Sequence, residues 1–228
     1  MIMLEIKNLV VSYQKENVLN GLSCLLEPGK IYGLIGLNGS GKTTFINCLN
    51  GLLKAKTGEI LLNNKPLNHT QIALLETHNY FYPLITGREY LRLFPLENQQ
   101  FVEADWESIL NVPLDELISG YSTGMKKKLA TMAIAKLDRL VYLLDEPYNG
   151  MDLEGTEILN TFIGGLAQKG KIVLLTSHLL ANMTALCHSI LHLQKGEIQK
   201  IYSKDEFNDI NTDLFQEFNK NLERVIKF

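Results

Sequence analysis

A chain of 228 residues, 46% of them hydrophobic and 21% charged, is long enough for one large α/β domain, or one domain with a small insert, and too short for a second full domain. Its 22 Lys and Arg against 25 Asp and Glu leave a net charge of -3, which argues against a broad nucleic-acid surface and makes any lysine cluster a local feature. No apolar run approaches the ~20 residues of a bilayer span, and Cys24, Cys48 and Cys187 are scattered without metal-ligand spacing, so they read as buried small hydrophobes in a reducing compartment.

The opening "MIMLEIKNLVVSYQ" alternates as a strand does and not as a signal peptide, so a cytosolic chain is expected. In "IYGLIGLNGSGKTT", residues 31–44, a short apolar run of strand character leads into G-x-x-x-x-G-K-T, with Gly36, Gly41, Lys42 and Thr43 in register. A helix follows, its apolar residues Phe45, Ile46, Leu49, Leu52 and Leu53 recurring at helical spacing. Strand, loop and helix in that order make a phosphate loop. The glycines let backbone N–H groups turn inward, so Gly36, Asn38, Gly39, Ser40, Gly41 and Thr44 surround a nucleotide's phosphates. Lys42 then reaches the β and γ oxygens and the Thr43 hydroxyl binds Mg2+.

Further along, "TGREYLRLF" starts a helix with Thr86 and Glu89 as a capping box, and "ADWESIL" supplies another short helix. In "ISGYSTGMKKKL", residues 118–129, Ser122 is a good N-cap for a helix with Met125, Leu129, Met132, Ala133 and Leu137 on one side. That helix start offers free N–H groups to an anion. Lys126, Lys127 and Lys128 read as its solvated face, with direct phosphate contact as the alternative. In "RLVYLLDEPYNGMD", residues 139–152, the apolar run Leu140 to Leu144 predicts a strand buried on both faces of a parallel sheet. It ends in two acids at the carboxyl edge, where ligands of open α/β sheets bind. Asp145 is assigned to the metal and Glu146 to polarising the attacking water. The strand in "KIVLLTSH", residues 171–178, ends at the same edge, which leaves His178 either within reach of the γ-phosphate or as a structural imidazole. From "SKDEF" onwards, Leu214, Phe218, Leu222 and either Val225 or Ile226 form an apolar stripe, predicting a helical tail over 203–228 that docks on its own domain or, alternatively, on a partner.

"GLNGSGKTT", "YSTGM", "LLDEP", "NGMD" and "TSH" stand in the order and approximate spacing of the nucleotide-binding subunits of ATP-binding cassette transporters, and the chain resembles them over nearly its whole length. The resemblance implies an α/β fold: a P-loop NTPase core with a mainly parallel sheet, an N-terminal antiparallel β subdomain and a short helical subdomain over about 87–136, all in one ATPase domain over 1–228. It implies ATP and Mg2+ as cofactors. It further implies that Ser122 and Gly124 bind the γ-phosphate held by the P-loop of a second nucleotide-binding subunit, that Asp152 helps assemble that facing site, and that Tyr13 stacks on adenine, with a core role as the other reading of Tyr13. The partners implied are that second subunit, as a homodimer or heterodimer, and an integral membrane permease that holds the cytoplasmic chain at the inner face of the cell membrane. No nucleic acid is among them.

Two departures stand out. Thr77, with Glu76 before it, occupies the position where the family usually carries a glutamine that touches Mg2+, so altered Mg2+ coordination or weaker coupling is expected. The stretch between Arg88 and Ser122 is shorter than the family's usual helical subdomain, and the cluster Tyr80, Phe81, Tyr82 and Pro83 is read either as part of the groove for a permease helix or as packing of that subdomain. "YSTGM" resembles the signature of subunits often found in exporters, with import through a binding-protein system as the other reading. The alternative is a soluble, non-transport ATPase of the same type, or a nucleotide sensor with weak turnover; a GTPase is disfavoured because "NKPL" and "NKNL" both lack the guanine-reading aspartate.

Overall fold

The computed structural model describes residues 2–13 and 16–215, with Tyr13 described through its backbone alone. The Tyr13 side chain, Phe218, Leu222, Val225 and Ile226 lie outside the described residues.

A long strand β1 (Leu4–Tyr13) pairs antiparallel with β2 (Glu16–Leu26) on one side and β4 (Thr57–Leu62) on the other, and the short β5 (Lys65–Pro66) closes that edge. The second sheet is built on β3 (Ile31–Ile35), which lies between β8 (Ile172–Thr176) and β9 (Ser189–Gln194), parallel to both. Beyond β8 follow β7 (Val141–Leu144) and β6 (Ile72–Leu75), also parallel, while β10 (Glu197–Ser203) returns antiparallel beside β9. The order β10-β9-β3-β8-β7-β6 is the mainly parallel sheet that the sequence predicts.

The apolar runs are continuous because both faces of this sheet are covered. In β7, Val141 and Leu143 point to one core while Tyr142 and Leu144 point to the other, and β8 divides Ile172 and Leu174 from Val173 and Leu175 in the same way. The first core holds helix α1 (Lys42–Leu49) between the two sheets through Phe45, Ile46 and Leu49, each burial contributing roughly 1.5–3 kcal/mol. The second lies under α5 (Leu153–Gln168) and α6 (Leu180–Leu186), and Ile210 of the helical residues 210–215 is buried in it. A third packs α2 (Gly87–Arg92) and α3 (Glu103–Leu110) onto α4 (Thr123–Ala135) through Tyr90, Leu91, Leu110, Leu129 and Met132. The Thr86–Glu89 capping box forms at the start of α2.

Three sequence expectations change here. The helix after the phosphate loop stops at Leu49: Asn50 caps it, Gly51 turns the chain at φ +77°, and Leu52 is left 60% exposed instead of continuing the apolar face. The strand before the acid pair starts at Val141, with Leu140 only half-buried beside it. Most consequentially, Lys127 and Lys128 of α4 do not join a solvated face with the half-buried Lys126, for Lys127 is 3% exposed and Lys128 is also buried, each held by acceptors of its own subunit.

Candidate nucleotide site

At the carboxyl end of β3 the chain enters the phosphate loop. A Cβ on Gly36 would lie 2.2 Å from the Leu193 carbonyl and 2.5 Å from Ser40 Oγ, so the loop closes only with glycine there. Gly41 takes the left-handed φ of +108° at the N-cap of α1, and no side chain caps this helix. Without an acid in its first turn either, the helix start leaves its N–H groups and positive end available for an anion. Ser40 Oγ is buried and has no hydrogen-bond partner among the described residues. Lys42 Nζ donates to the Gly36 carbonyl at 2.7 Å and to Leu37 at 3.4 Å, and desolvation holds its pKa below the ordinary lysine value, against the pull of Glu146 and Asp145.

A cavity of about 460 Å3 opens above this loop. Asn38, Gly39, Gly41, Lys42, Thr43 and Thr44 line one side, and Asp145, Glu146, His178 and Thr77 another. Parallel strand register produces the meeting: Leu144 of β7 lies beside Leu175 of β8, so the residues that follow both strands emerge side by side. Thr176 connects them. Its hydroxyl donates to Asp145 Oδ1 at 2.7 Å and accepts the Glu146 N–H at 2.9 Å. The Glu146 N–H is thereby held while its backbone sits at φ +48°, a left-handed conformation that costs energy in a residue other than glycine. Its Oε2 accepts the His178 N–H at 3.2 Å, whereas Oε1, 3.2 Å from His178 Nε2, is buried without a directed hydrogen bond. The unpartnered Ser40 and Glu146 oxygens, the open helix start and the tight glycine suit a nucleotide triphosphate with a divalent cation better than any packing role. Asp145 and the Thr43 hydroxyl are the groups that would hold the metal.

Ser122, Gly124 and Asp152 do not line this cavity. They form a second unit. Ser122 caps α4 by accepting the Met125 N–H at 3.2 Å and is exposed. A Cβ on Gly124 would come within 2.5 Å of the Gly150 carbonyl, so this loop packs directly on the turn after the acid pair. Asp152 caps α5 through Gly155 N at 2.7 Å and pairs with Lys128 Nζ at 2.8 Å. Val18, which also faces the cavity, carries no motif in the sequence that would have marked it, while Asn149, another lining residue, belongs to the "NGMD" motif without having been assigned a role. Thr77 follows β6 at the metal end, its Oγ1 donating to the Asp145 carbonyl at 3.4 Å. Of the aromatic cluster, Phe81 packs on Tyr90 with ring centres 4.9 Å apart, while Tyr80 (71% exposed) and Tyr82 meet edge to face on the surface beside Leu84 (84% exposed). The three cysteines are free, Cys48 and Cys187 buried and Cys24 half-buried.

A phosphate loop on a mainly parallel sheet and an acid pair at the neighbouring strand ends define a P-loop nucleotide-binding domain, which also carries a separate serine-capped glycine loop. Residues 19–149 match the family model described as ABC transporter, and the chain belongs to that family as an ATP-binding subunit. It is 30% identical to the putative ABC transporter ATP-binding protein AlbC of Bacillus subtilis, over 95% of this chain and 98% of the relative. It is 26% identical to the SkfA peptide export ATP-binding protein SkfE of the same organism, over 91% and 92%. Among solved structures, an ATP-binding subunit of an ABC transporter superposes with a TM-score of 0.79 at 28% identity, covering 96% of this chain and 99% of the other.

Proposed function

We propose that the chain hydrolyses ATP with Mg2+ between two nucleotide-binding subunits arranged head to tail, and that opening and closing of this pair drives a separate membrane permease in the direction of export. One observation carries the reading: the chain holds a complete phosphate cavity and, apart from it, an exposed glycine loop at a capped helix start that its own cavity does not use. Two copies facing each other give each loop of Ser122 and Gly124 the γ-phosphate of the other's cavity, with Asp152 on the adjoining turn.

Within one site the roles follow from the contacts. Lys42 exchanges the Gly36 and Leu37 carbonyls for the β and γ oxygens, and backbone N–H groups between Gly36 and Thr44, other than that of Ser40, which donates to the Leu37 carbonyl, wrap the phosphates. Bound Mg2+ would neutralise charge developing on the phosphate oxygens. Asp145, one oxygen fixed by Thr176, and Thr43 hold the ion's shell. Glu146 polarises the attacking water, and His178, bonded to it through its backbone and 3.2 Å from Oε1 through its ring, keeps the carboxylate aimed. Tyr13, closing β1, is assigned to adenine.

Among the described residues no helix is long and apolar enough to cross a membrane, and the likeness to ATP-binding subunits of ABC transporters supports a separate membrane permease as partner. The surface group Tyr80, Tyr82 and Leu84, continuous with the residues after Thr77, supports the docking of a permease helix that keeps the subunit at the inner membrane face. The likeness to a relative named for peptide export supports that direction.

Glu146→Gln removes the base and keeps the shape. Its turnover is expected to fall by about 10^2–10^4, while ATP and Mg2+ shift it to a dimer in size-exclusion chromatography. A variant that stays monomeric, or that turns over at the wild-type rate, overturns the proposal.

A further inference from the structure

Lys127 is the most completely buried lysine, arginine, aspartate or glutamate among the described residues. Burying an ammonium is costly unless its donors are used, and here they are spent on one short piece of backbone: Nζ donates to the Glu76 carbonyl at 2.8 Å and to the Thr77 carbonyl at 3.1 Å. Desolvation pushes its pKa down to about 8 despite the nearby carboxylates of Asp145, Glu146 and Glu76. The two carbonyls belong to the residues that follow β6, and Thr77 in turn donates to the Asp145 carbonyl. Lys127 itself lies one turn into α4, whose first residues carry Ser122 and Gly124. A side chain as short as threonine gives residue 77 little reach, so backbone position is the main way this loop shapes the metal end of the cavity.

We infer that Lys127 is a positioning residue that ties the signature helix α4 to residues 76–77, so that the metal end of a subunit's own cavity and the loop it presents to its partner move as one body. The inference rests on the proposed head-to-tail hydrolysis for its consequence, though not for its geometry.

Lys136 supplies the comparison. It lies just beyond the C-terminal end of the same helix, is also buried, and donates to the Leu91 carbonyl, away from the cavity. Lys127→Met is expected to raise amide exchange of residues 76–79 by about tenfold or more in the nucleotide-free protein, with Lys136→Met leaving that peptide unchanged. In turnover, Lys127→Met should lower kcat by about tenfold with KM for ATP within about twofold, a split that general destabilisation does not produce. Equal behaviour of the two variants in exchange, or an unchanged kcat in Lys127→Met beside an active wild type, overturns the inference. A wild type without turnover would instead sink the hydrolysis reading, leaving the exchange result to decide the strut. If Lys127→Met does not fold, exchange in the wild type decides: addition of Mg2+ and a non-hydrolysable ATP analogue should protect residues 76–79 and 122–127 together, and protection of the first alone overturns the coupling.

Discussion

The chain contains two glycine-bearing loops that run into helices, and they are built on opposite principles. The loop before α1 has no side-chain cap, turns on a left-handed glycine, and leads into a helix wedged between two sheets, its residues lining a cavity together with the acid pair of the same chain. The loop before α4 is capped by the exposed Ser122 and leads into a helix whose Lys127 and Lys128 fold back to hold the chain's own loops. One lines a cavity of its own subunit. The other is fixed in place but lines no part of that cavity, which suits the proposed role toward a facing molecule.

The widest separation between the loops is expected from Gly36→Ala. Its Cβ would overlap the Leu193 carbonyl and Ser40 Oγ, and overpacking of about 3 kcal/mol translates to roughly a hundredfold loss of ATP affinity. Fluorescent ATP titration of the monomer checks it, and an affinity near wild type would show that the loop is looser than its contacts indicate. Gly124→Ala should act on the other side of the comparison. Its Cβ would press on the Gly150 carbonyl at 2.5 Å, so monomer affinity stays within about twofold while ATP-driven dimerisation in the Glu146→Gln background weakens by about tenfold. Equal loss in both measurements would mean that the two loops are one site. The smallest effect is assigned to Thr77→Gln. A longer side chain at the metal end should lower the Mg2+ concentration for half-maximal hydrolysis by about threefold, under half a tenfold step in binding free energy, and identical Mg2+ curves would remove Thr77 from the account of the metal site.

Much of this was legible in the sequence. G-x-x-x-x-G-K-T between an apolar run and a helical pattern has few structural solutions, and unbroken apolar runs ending in acids or histidine mark strands buried on both faces with their functional ends at one edge. The Thr86–Glu89 box and the Ser122 cap are contacts between residues three apart, so local sequence specifies them. The helical reading past Asn50 failed because periodicity counts apolar residues and is blind to the left-handed turn that Gly51 introduces.

The sequence by itself determined the α/β architecture and most of the residues that gather at the cavity, because these are encoded by neighbours in the chain or by the period of a strand or helix, while the class of protein followed from the resemblance that five motifs in order carry. Only the tertiary structure decided the fate of the α4 lysines, the link from Asp145 through Thr176 to Glu146, and the separation of the second loop from the first. Those depend on which elements lie side by side across gaps such as that from Thr77 to Lys127, and a charge is buried or solvated according to acceptors that the local sequence does not contain.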